Sequence, residues 1–119
     1  MKKLICLALA LVLCCTCFAA CGGASKAYPS EAIELVIPAS AGGGSDLMSR
    51  AVGEVLSERL GVPVVVDDKP GGSGSIGMSL LAAAKPDGYT LILTAAGACT
   101  LSPYTSEVPY SDKDFEPIC

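Results

Sequence analysis

Apolar runs and helical segments alternate along the chain between residues 33 and 93. The apolar runs lie at 33–37, 62–66 and 90–93, and the segments with helical periodicity lie at about 46–60 and 75–84. Short, nearly continuous runs of Val, Ile and Leu are typical of strands covered on both faces, and helices between them favour a parallel sheet. The pattern therefore predicts a β-α-β-α-β order and the α/β fold class, with a parallel-sheet lobe that has helices on both faces.

The first predicted helix is amphipathic. Its apolar stripe consists of Met48, Val52, Val55, Leu56 and Leu60. The other side is largely polar, with Arg50, Glu54, Ser57 and Glu58. Gly61 is predicted to end this helix as its C-terminal cap. Ser45 or Asp46 is predicted to cap its N-terminus, and Ser73 or Ser75 that of the second helix.

The N-terminus has the layout of a secretory signal. Lys2 and Lys3 precede an uncharged apolar stretch at 4–20 that ends in small residues. Cys21 follows Phe-Ala-Ala and precedes Gly-Gly, which resembles a bacterial lipobox, so we expect residues 1–20 to be a signal peptide and Cys21 to be lipidated. The alternative is ordinary cleavage after Ala20, which would leave Cys21 as a free thiol. Lipidation would anchor the exported protein to the outer face of the cell membrane.

The Gly-, Ala- and Ser-rich stretch that follows reads as a flexible tether over 21–30, so the folded part is predicted over 31–119. Four of the seven cysteines lie within the signal, and Cys99 and Cys119 are interpreted as small apolar residues. Without histidine, the chain cannot build a His-ligated metal site or a Ser-His-Asp triad. Loss of the two signal lysines lowers the formal charge from −4 to −6. Nucleic acid is therefore an unsuitable partner, and we predict no metal and no cofactor.

Two glycine-rich loops, at 38–46 and 69–77, each join a strand end to a helix start. Ligands of open α/β sheets bind at that edge, and a helix N-terminus offers unpaired N–H groups and partial positive charge to an anion. Both loops add hydroxyl groups, from Ser40, Ser45, Ser73 and Ser75. The alternative is that the glycines only permit tight turns. Two such loops side by side favour a site for a small anionic or strongly polar ligand.

Residues 72–77 also satisfy the pattern G-x-G-x-x-G of dinucleotide-binding folds. That fold requires the first glycine close behind the strand, whereas residues 67–70 intervene here. It also requires an acidic residue at the end of the next strand, where this chain has Leu93-Thr94-Ala95. We therefore reject a nicotinamide-binding interpretation.

Several ordered sequence blocks resemble the extracytoplasmic solute receptors of tripartite tricarboxylate transporters, the Bug-type binding proteins. The blocks lie at 28–30, 38–46, 59–61, 70–77, 86–91 and 109–118. The resemblance implies the first lobe of a two-lobed, periplasmic-binding-protein-like (type II, Venus flytrap) receptor that captures a small carboxylate and delivers it to membrane permease subunits. It also implies that the chain stops at 119 before its second lobe, so that 31–119 is an incomplete solute-binding domain.

The resemblance implies ligand-binding residues in three loops. Carried over by position, they are Ala41, Gly42, Gly43, Ser45, Asp46, Gly72, Ser73, Gly74, Thr94, Ala96 and Gly97. The chain departs from the family at Asp68, where Asn is frequent, and around Cys99 in the third loop. The carboxylate of Asp68 would either repel an anion or point to solvent.

The sequence also permits functions other than that of a transport receptor. A binding protein of the same fold could report ligand to a signalling system, or the chain could be a non-functional truncated fragment. An exported enzyme would have only Asp46 near the loops as an acid or base, and an N-terminal helix cap explains that residue better. We expect no enzymatic activity.

Overall fold

The computed structural model describes residues 27–119. The predicted signal peptide, Cys21 and most of the predicted tether lie outside the described residues. Within residues 27–119, no helix combines the length and the apolar character needed to cross a membrane.

The sheet has three parallel strands, β1 (Ile33–Ile37), β2 (Val64–Asp68) and β3 (Thr90–Ile92), in the order β2-β1-β3. The central strand β1 is the most buried, because it is paired on both edges and covered on both faces. β2 lies two residues further along than predicted, because Asp67 and Asp68 continue the pairing with the end of β1. The prediction of a parallel-sheet lobe is confirmed.

Two longer helices cover the sheet, α1 (Gly44–Leu60) and α2 (Ser75–Ala83). A Cβ on Gly53 of α1 would lie 3.8 Å from Leu35, whereas a Cβ on Gly77 of α2 would lie 3.4 Å from Val36. Because consecutive residues of a strand point to opposite faces, α1 and α2 lie on opposite faces of the sheet.

The face that α1 turns to the sheet differs from the predicted one. Asp46, Ser49 and Gly53 are buried there, whereas Met48 and Val52 of the predicted apolar stripe are exposed. Val55 and Leu60 are exposed as well, and Leu56 is half-buried. A Cβ on Gly53 would lie 3.5 Å from side-chain atoms of Val64 and Val66, which is ordinary contact distance, so this position has room for a small side chain but not for a bulky one. The small residues therefore face the strands, and the bulky apolar ones lie on the flank.

Glycines rather than serines occupy the N-cap positions of both helices. Gly43 precedes α1 and Gly74 precedes α2, and neither has a side chain to cap with. The predicted caps Ser45, Asp46 and Ser75 lie inside the first turns, and Ser73 lies one residue before the cap. The predicted C-terminal cap is confirmed: Gly61 ends α1 with φ of 71° and donates its N–H to Ser57.

The remaining chain forms short helices that the sequence pattern did not predict, α3 (Ala96–Thr100), α4 (Ser102–Thr105) and two 3₁₀ turns (Gly72–Gly74 and Asp112–Asp114). Met78, Ala98 and Tyr110 form a small apolar cluster on the α2 side. The buried Tyr110 hydroxyl donates a 2.9 Å hydrogen bond to the Ala98 carbonyl. This bond ties the C-terminal segment to α3.

Contacts with the sheet begin at Tyr28. Its hydroxyl donates to the Gly88 carbonyl at 2.8 Å, and its ring packs edge-on against Tyr89 with centroids 5.1 Å apart. The Ser30 amide donates to the Tyr89 hydroxyl at 2.9 Å. These residues lie beside the amino ends of β1 and β3.

Candidate functional site

Three loops meet at the carboxyl edge of the sheet. The Lys69 amide, just after β2, donates to the Ile37 carbonyl at 2.7 Å, and the Leu93 amide, just after β3, donates to the Val36 carbonyl at 3.1 Å. These bonds extend the pairing on both sides of β1 beyond the strands themselves. The chain therefore leaves β1, β2 and β3 side by side, which places the loops that follow next to one another.

The first loop, 38–43, turns tightly into α1. The Gly43 amide donates to the Ser40 carbonyl at 3.3 Å, and Gly42 has a left-handed φ of 79°. The Gly42 amide donates to Asp46 Oδ2 at 2.7 Å. Residues 40–45 are exposed, whereas Asp46 is only 3% exposed. Asp46 therefore holds the loop from its buried side, and the exposed surface consists of backbone and the side chains of Ser40, Ala41 and Ser45.

The second loop, 69–74, is a left-handed turn. Gly71, Gly72, Ser73 and Gly74 all have positive φ, and Ser73, at 53°, is the single non-glycine residue among 27–119 with that conformation. A Cβ on Gly71 would lie 2.6 Å from Ile76. The Ile76 methyl group is the end of a flexible, exposed side chain and can move, so glycine is favoured there by its φ of 121°. Consecutive N–H groups in such turns converge and can bind anions.

The first two loops pack directly on each other. A Cβ on Gly77 would lie 2.9 Å from Pro38 Cβ, and one on Gly74 would lie 3.6 Å from the same atom. The two strand-to-helix loops are thus in close contact where Gly74 and Gly77 face Pro38. This packing confirms the expectation that both loops lie at one edge of the sheet.

The third loop follows β3 and runs into α3. Ala98 is buried against Gly74 of the second loop, since a Cβ on that glycine would lie 3.2 Å from Ala98 Cβ. Ala96 and Gly97 are exposed, and Thr94 is half-buried. These three predicted binding residues therefore lie beside the second loop, on the same edge of the sheet.

A bridge of three charged residues connects the first loop to the second, and the sequence analysis missed it. Arg50 Nε lies 2.5 Å from Asp46 Oδ1, a charge contact without hydrogen-bond alignment, and Arg50 Nη2 donates to Asp68 Oδ2 at 2.9 Å. The spacing of Asp46 and Arg50, four residues apart on a helix, predicts the first contact. No local signal predicts the second, because it joins a helix to the end of a neighbouring strand.

The same bridge corrects the expectation for Asp68. Its carboxylate neither faces the loops unpaired nor points to solvent, because Arg50 binds it and its side chain is 16% exposed. Its neighbour Asp67 contacts Lys69 Nζ at 2.8 Å. The hydrogen bond and the charge of Asp67 raise the pKa of Lys69, which therefore stays protonated at the root of the second loop.

An open groove of about 760 Å³ runs along α1 and β2, and apart from Arg50 its lining does not include the residues of the bridge or of the loops. It is lined by Arg50, Gly53, Glu54, Ser57, Glu58, Val64 and Val66. Glutamates on its wall would repel an anion, so we assign the candidate carboxylate site to the loops and not to this groove. Among residues 27–119, no cluster of three or more acidic or cysteine side chains could hold a metal ion.

Comparison with known proteins shows which family the chain belongs to. A family model described as the tripartite tricarboxylate transporter family receptor, TctC, matches residues 48–119. The chain belongs to this family. A UPF0065 protein of Bordetella bronchiseptica is 42% identical to this TctC-family chain over 96 residues, which cover 79% of the chain and 29% of the relative.

Solved structures agree with the fold of this TctC-family chain. A TctC solute-binding protein from Polaromonas superposes with a TM-score of 0.70 at 38% identity, covering 76% of this chain and 31% of the other. MatC from Rhodopseudomonas palustris, with bound malate, gives 0.70 at 27% identity, covering 76% and 32%. A second R. palustris protein, with adipate, gives 0.57 at 37% identity, covering 59% and 23%.

The TctC-family chain spans less than a third of the length of the curated relatives that it matches. The resemblance inferred from the sequence blocks is therefore confirmed for the family and the fold. The chain matches about a third of each of the two best-superposed structures named above, as expected for one lobe of a two-lobed protein. The ligand-binding residues carried over by position stay predictions.

Proposed function

We propose that this protein is the extracytoplasmic solute-binding receptor of a tripartite tricarboxylate-type transporter, and that it binds one carboxylate group of a small acid at the carboxyl edge of its sheet. The observation that carries the proposal is the packing of two glycine-rich loops against each other, each leading into a helix N-terminus.

The geometry suits a carboxylate for electrostatic reasons. Helix α1 and helix α2 begin at this edge, and each helix N-terminus carries roughly half a positive charge together with N–H groups that lack partners within the helix. The described cations nearest the loops, Arg50 and Lys69, are each paired with aspartate. Backbone N–H groups and the Ser45 and Ser73 hydroxyls are thus the donors that we assign to the ligand.

Relatives support the chemical class of the ligand. MatC is described with malate and the second R. palustris protein with adipate, and both molecules are small dicarboxylates. We therefore propose a small mono- or dicarboxylate for this chain. Its outer part would contact residues beyond the lobe described here, so selectivity among acids is not assigned to the two loops.

The acids near the loops fit binding rather than catalysis, since Asp68 and Asp67 are paired with Arg50 and Lys69. Asp46 is buried, accepts the Gly42 amide and contacts Arg50. A carboxylate held in this way stabilises a loop, and it is turned away from the surface where a substrate would lie. We propose no reaction for this protein.

Export, anchoring and delivery complete the proposal. Residues 1–20 would direct export, Cys21 would carry the lipid, and the loaded receptor would dock on the membrane permease subunits. Palmitate incorporation into the wild-type protein that is lost in Cys21→Ser supports the anchor, and labelling retained in that variant contradicts it.

Isothermal titration of the mature protein, as its gene encodes it, tests the binding claim. The panel comprises malate, adipate, citrate and benzoate, with malamide and adipamide as uncharged controls of matched shape. We expect at least one acid to bind and its amide to bind at least tenfold more weakly, because the amide lacks the charge that two helix N-termini favour. Equal binding of acid and amide, or binding of no acid, would contradict the proposal.

A further inference from the structure

We infer that Arg50 is a positioning residue for the carboxylate site, and that it acts by fixing the first loop to the second through Asp46 and Asp68. This inference rests on the proposed function of the loops. It concerns a side chain that the sequence blocks do not assign to binding.

The connection runs without a gap from one loop to the other. The Gly42 amide of the first loop donates to Asp46 Oδ2, Arg50 Nε contacts the other oxygen of that carboxylate, and Arg50 Nη2 donates to Asp68 Oδ2 at 2.9 Å. The next residue, Lys69, starts the second loop and is bonded to Ile37 at 2.7 Å. One guanidinium group therefore spans the space between the two loops.

Burial makes the bridge stiff at its ends. Asp46 is 3% exposed and the Asp68 side chain 16%, whereas the Arg50 side chain is half exposed. The two carboxylates are thus fixed by surrounding chain, and the planar fork of the guanidinium fixes their relative direction. A lysine could contact one of the two carboxylates but would lack the second, fixed donor.

The relative position of the two loops matters because backbone N–H groups, unlike side chains, cannot rotate to reach a ligand. A carboxylate bound by N–H groups from two turns needs both turns at hydrogen-bonding distance at once, within a few tenths of an ångström. Loss of the bridge would leave the Pro38 packing in place but would let the second loop shift relative to the first.

Asp68→Ala provides the sharpest test, because charge and position predict opposite results. A purely electrostatic account expects anions to bind more tightly once a negative charge near the site is removed. The positioning account expects weaker binding, by about five- to tenfold, which lies within the range for the net loss of one intramolecular hydrogen bond at a partly exposed site. Asp68→Asn keeps an oxygen acceptor for Arg50 and removes the charge, so it should bind at least as tightly as wild type.

Arg50 variants complete the set. Arg50→Lys and Arg50→Gln should both weaken binding, and Arg50→Gln combined with Asp68→Ala should bind no more weakly than Arg50→Gln alone, because both changes break the same bridge. Arg59→Gln, in the last turn of the same helix, is the matched control for loss of one arginine charge and should change Kd by less than twofold. Asp68 Oδ1 has no hydrogen-bond partner among the described residues, so Asp68→Ala removes an unsatisfied atom and should leave the protein folded.

Titration of these variants with the acid that binds wild type gives three distinguishable results. Weaker binding by Asp68→Ala with retained binding by Asp68→Asn supports the bridge. Equal or tighter binding by Asp68→Ala overturns it, as does additivity in the double variant, which would mean that Arg50 contacts the ligand itself. No binding of any acid by wild type would refute the proposed function and not the bridge alone.

Discussion

Gly44 offers a way to separate the anion site from the stability of the fold. It is the first residue of α1, it is exposed, its φ lies outside the left-handed region, and a Cβ there would meet no atom within 4 Å. Gly44→Asp is therefore accommodated without strain. A negative charge in the first turn of a helix stabilises the helix by about 0.3–1 kcal/mol.

The same charge should repel a bound carboxylate. For two unit charges about 5 Å apart, the repulsion is about 3 kcal/mol at an effective dielectric constant of about 20 and about 0.8 kcal/mol in bulk water. A partly solvated loop lies between these limits. We expect Gly44→Asp to weaken carboxylate binding by roughly 5- to 150-fold, because each 1.4 kcal/mol corresponds to about tenfold.

The assay pairs titration calorimetry with thermal unfolding, and Gly44→Asn is the control of matched size. Gly44→Asp should unfold at the same temperature as Gly44→Asn or higher, yet bind the acid much more weakly, and added salt should narrow the difference in binding. Kd values of the two variants within twofold of each other would refute the assignment of the anion site to the start of α1.

Two further substitutions test the packing that places the loops. Gly77→Ala should destabilise the protein by about 1–3 kcal/mol, because its methyl group would lie 2.9 Å from Pro38 Cβ, whereas Gly44→Ala should be neutral or stabilising. Chemical denaturation measures both, and equal stability of the two variants would contradict the tight contact. Tyr110→Phe should lower the free energy of unfolding by about 1–3 kcal/mol, because a buried carbonyl of α3 loses its donor. Tyr104→Phe, at a 75% exposed side chain, is its control and should change stability by less than about 0.5 kcal/mol.

The strands and the two long helices were predictable because their signals are local. The apolar run at 33–37 coincides with β1. The C-terminal ends of α1 and α2, at Leu60 and Ala83, each lie within one residue of the predicted end. The N-cap predictions were wrong because a serine or aspartate near a helix start can lie either at the cap or within the first turn, and the sequence does not distinguish the two positions. Gly43 is selected by its tight turn against the Ser40 carbonyl, and Gly74 by its φ of 96° and its contacts with Ala98 and Pro38, all of which arise only in the folded chain.

The orientation of α1 was not predictable for a similar reason. An apolar stripe indicates which side of a helix avoids water, but it does not show that the side facing the strands has room only for the small residues Ser49 and Gly53 beside Asp46. The candidate site, too, was predictable only where its signals are local in sequence. The sequence located the three loops through their glycines and the strand ends, whereas the bridge of Arg50 to Asp68 spans 18 residues and has no sequence pattern.

Tyr28 docks at the amino ends of the strands, so the end of the sheet opposite the glycine loops is the one nearest in the chain to the predicted lipid site. Seven peptide units separate Cys21 from Tyr28, so a lipid on Cys21 would hold that end of the sheet within about 25 Å of the bilayer surface. The glycine loops lie at the other end of the same strands. Because the tether predicted over 21–30 is flexible, such an anchor would limit how far this end of the lobe can move from the membrane without fixing the direction in which the glycine loops face.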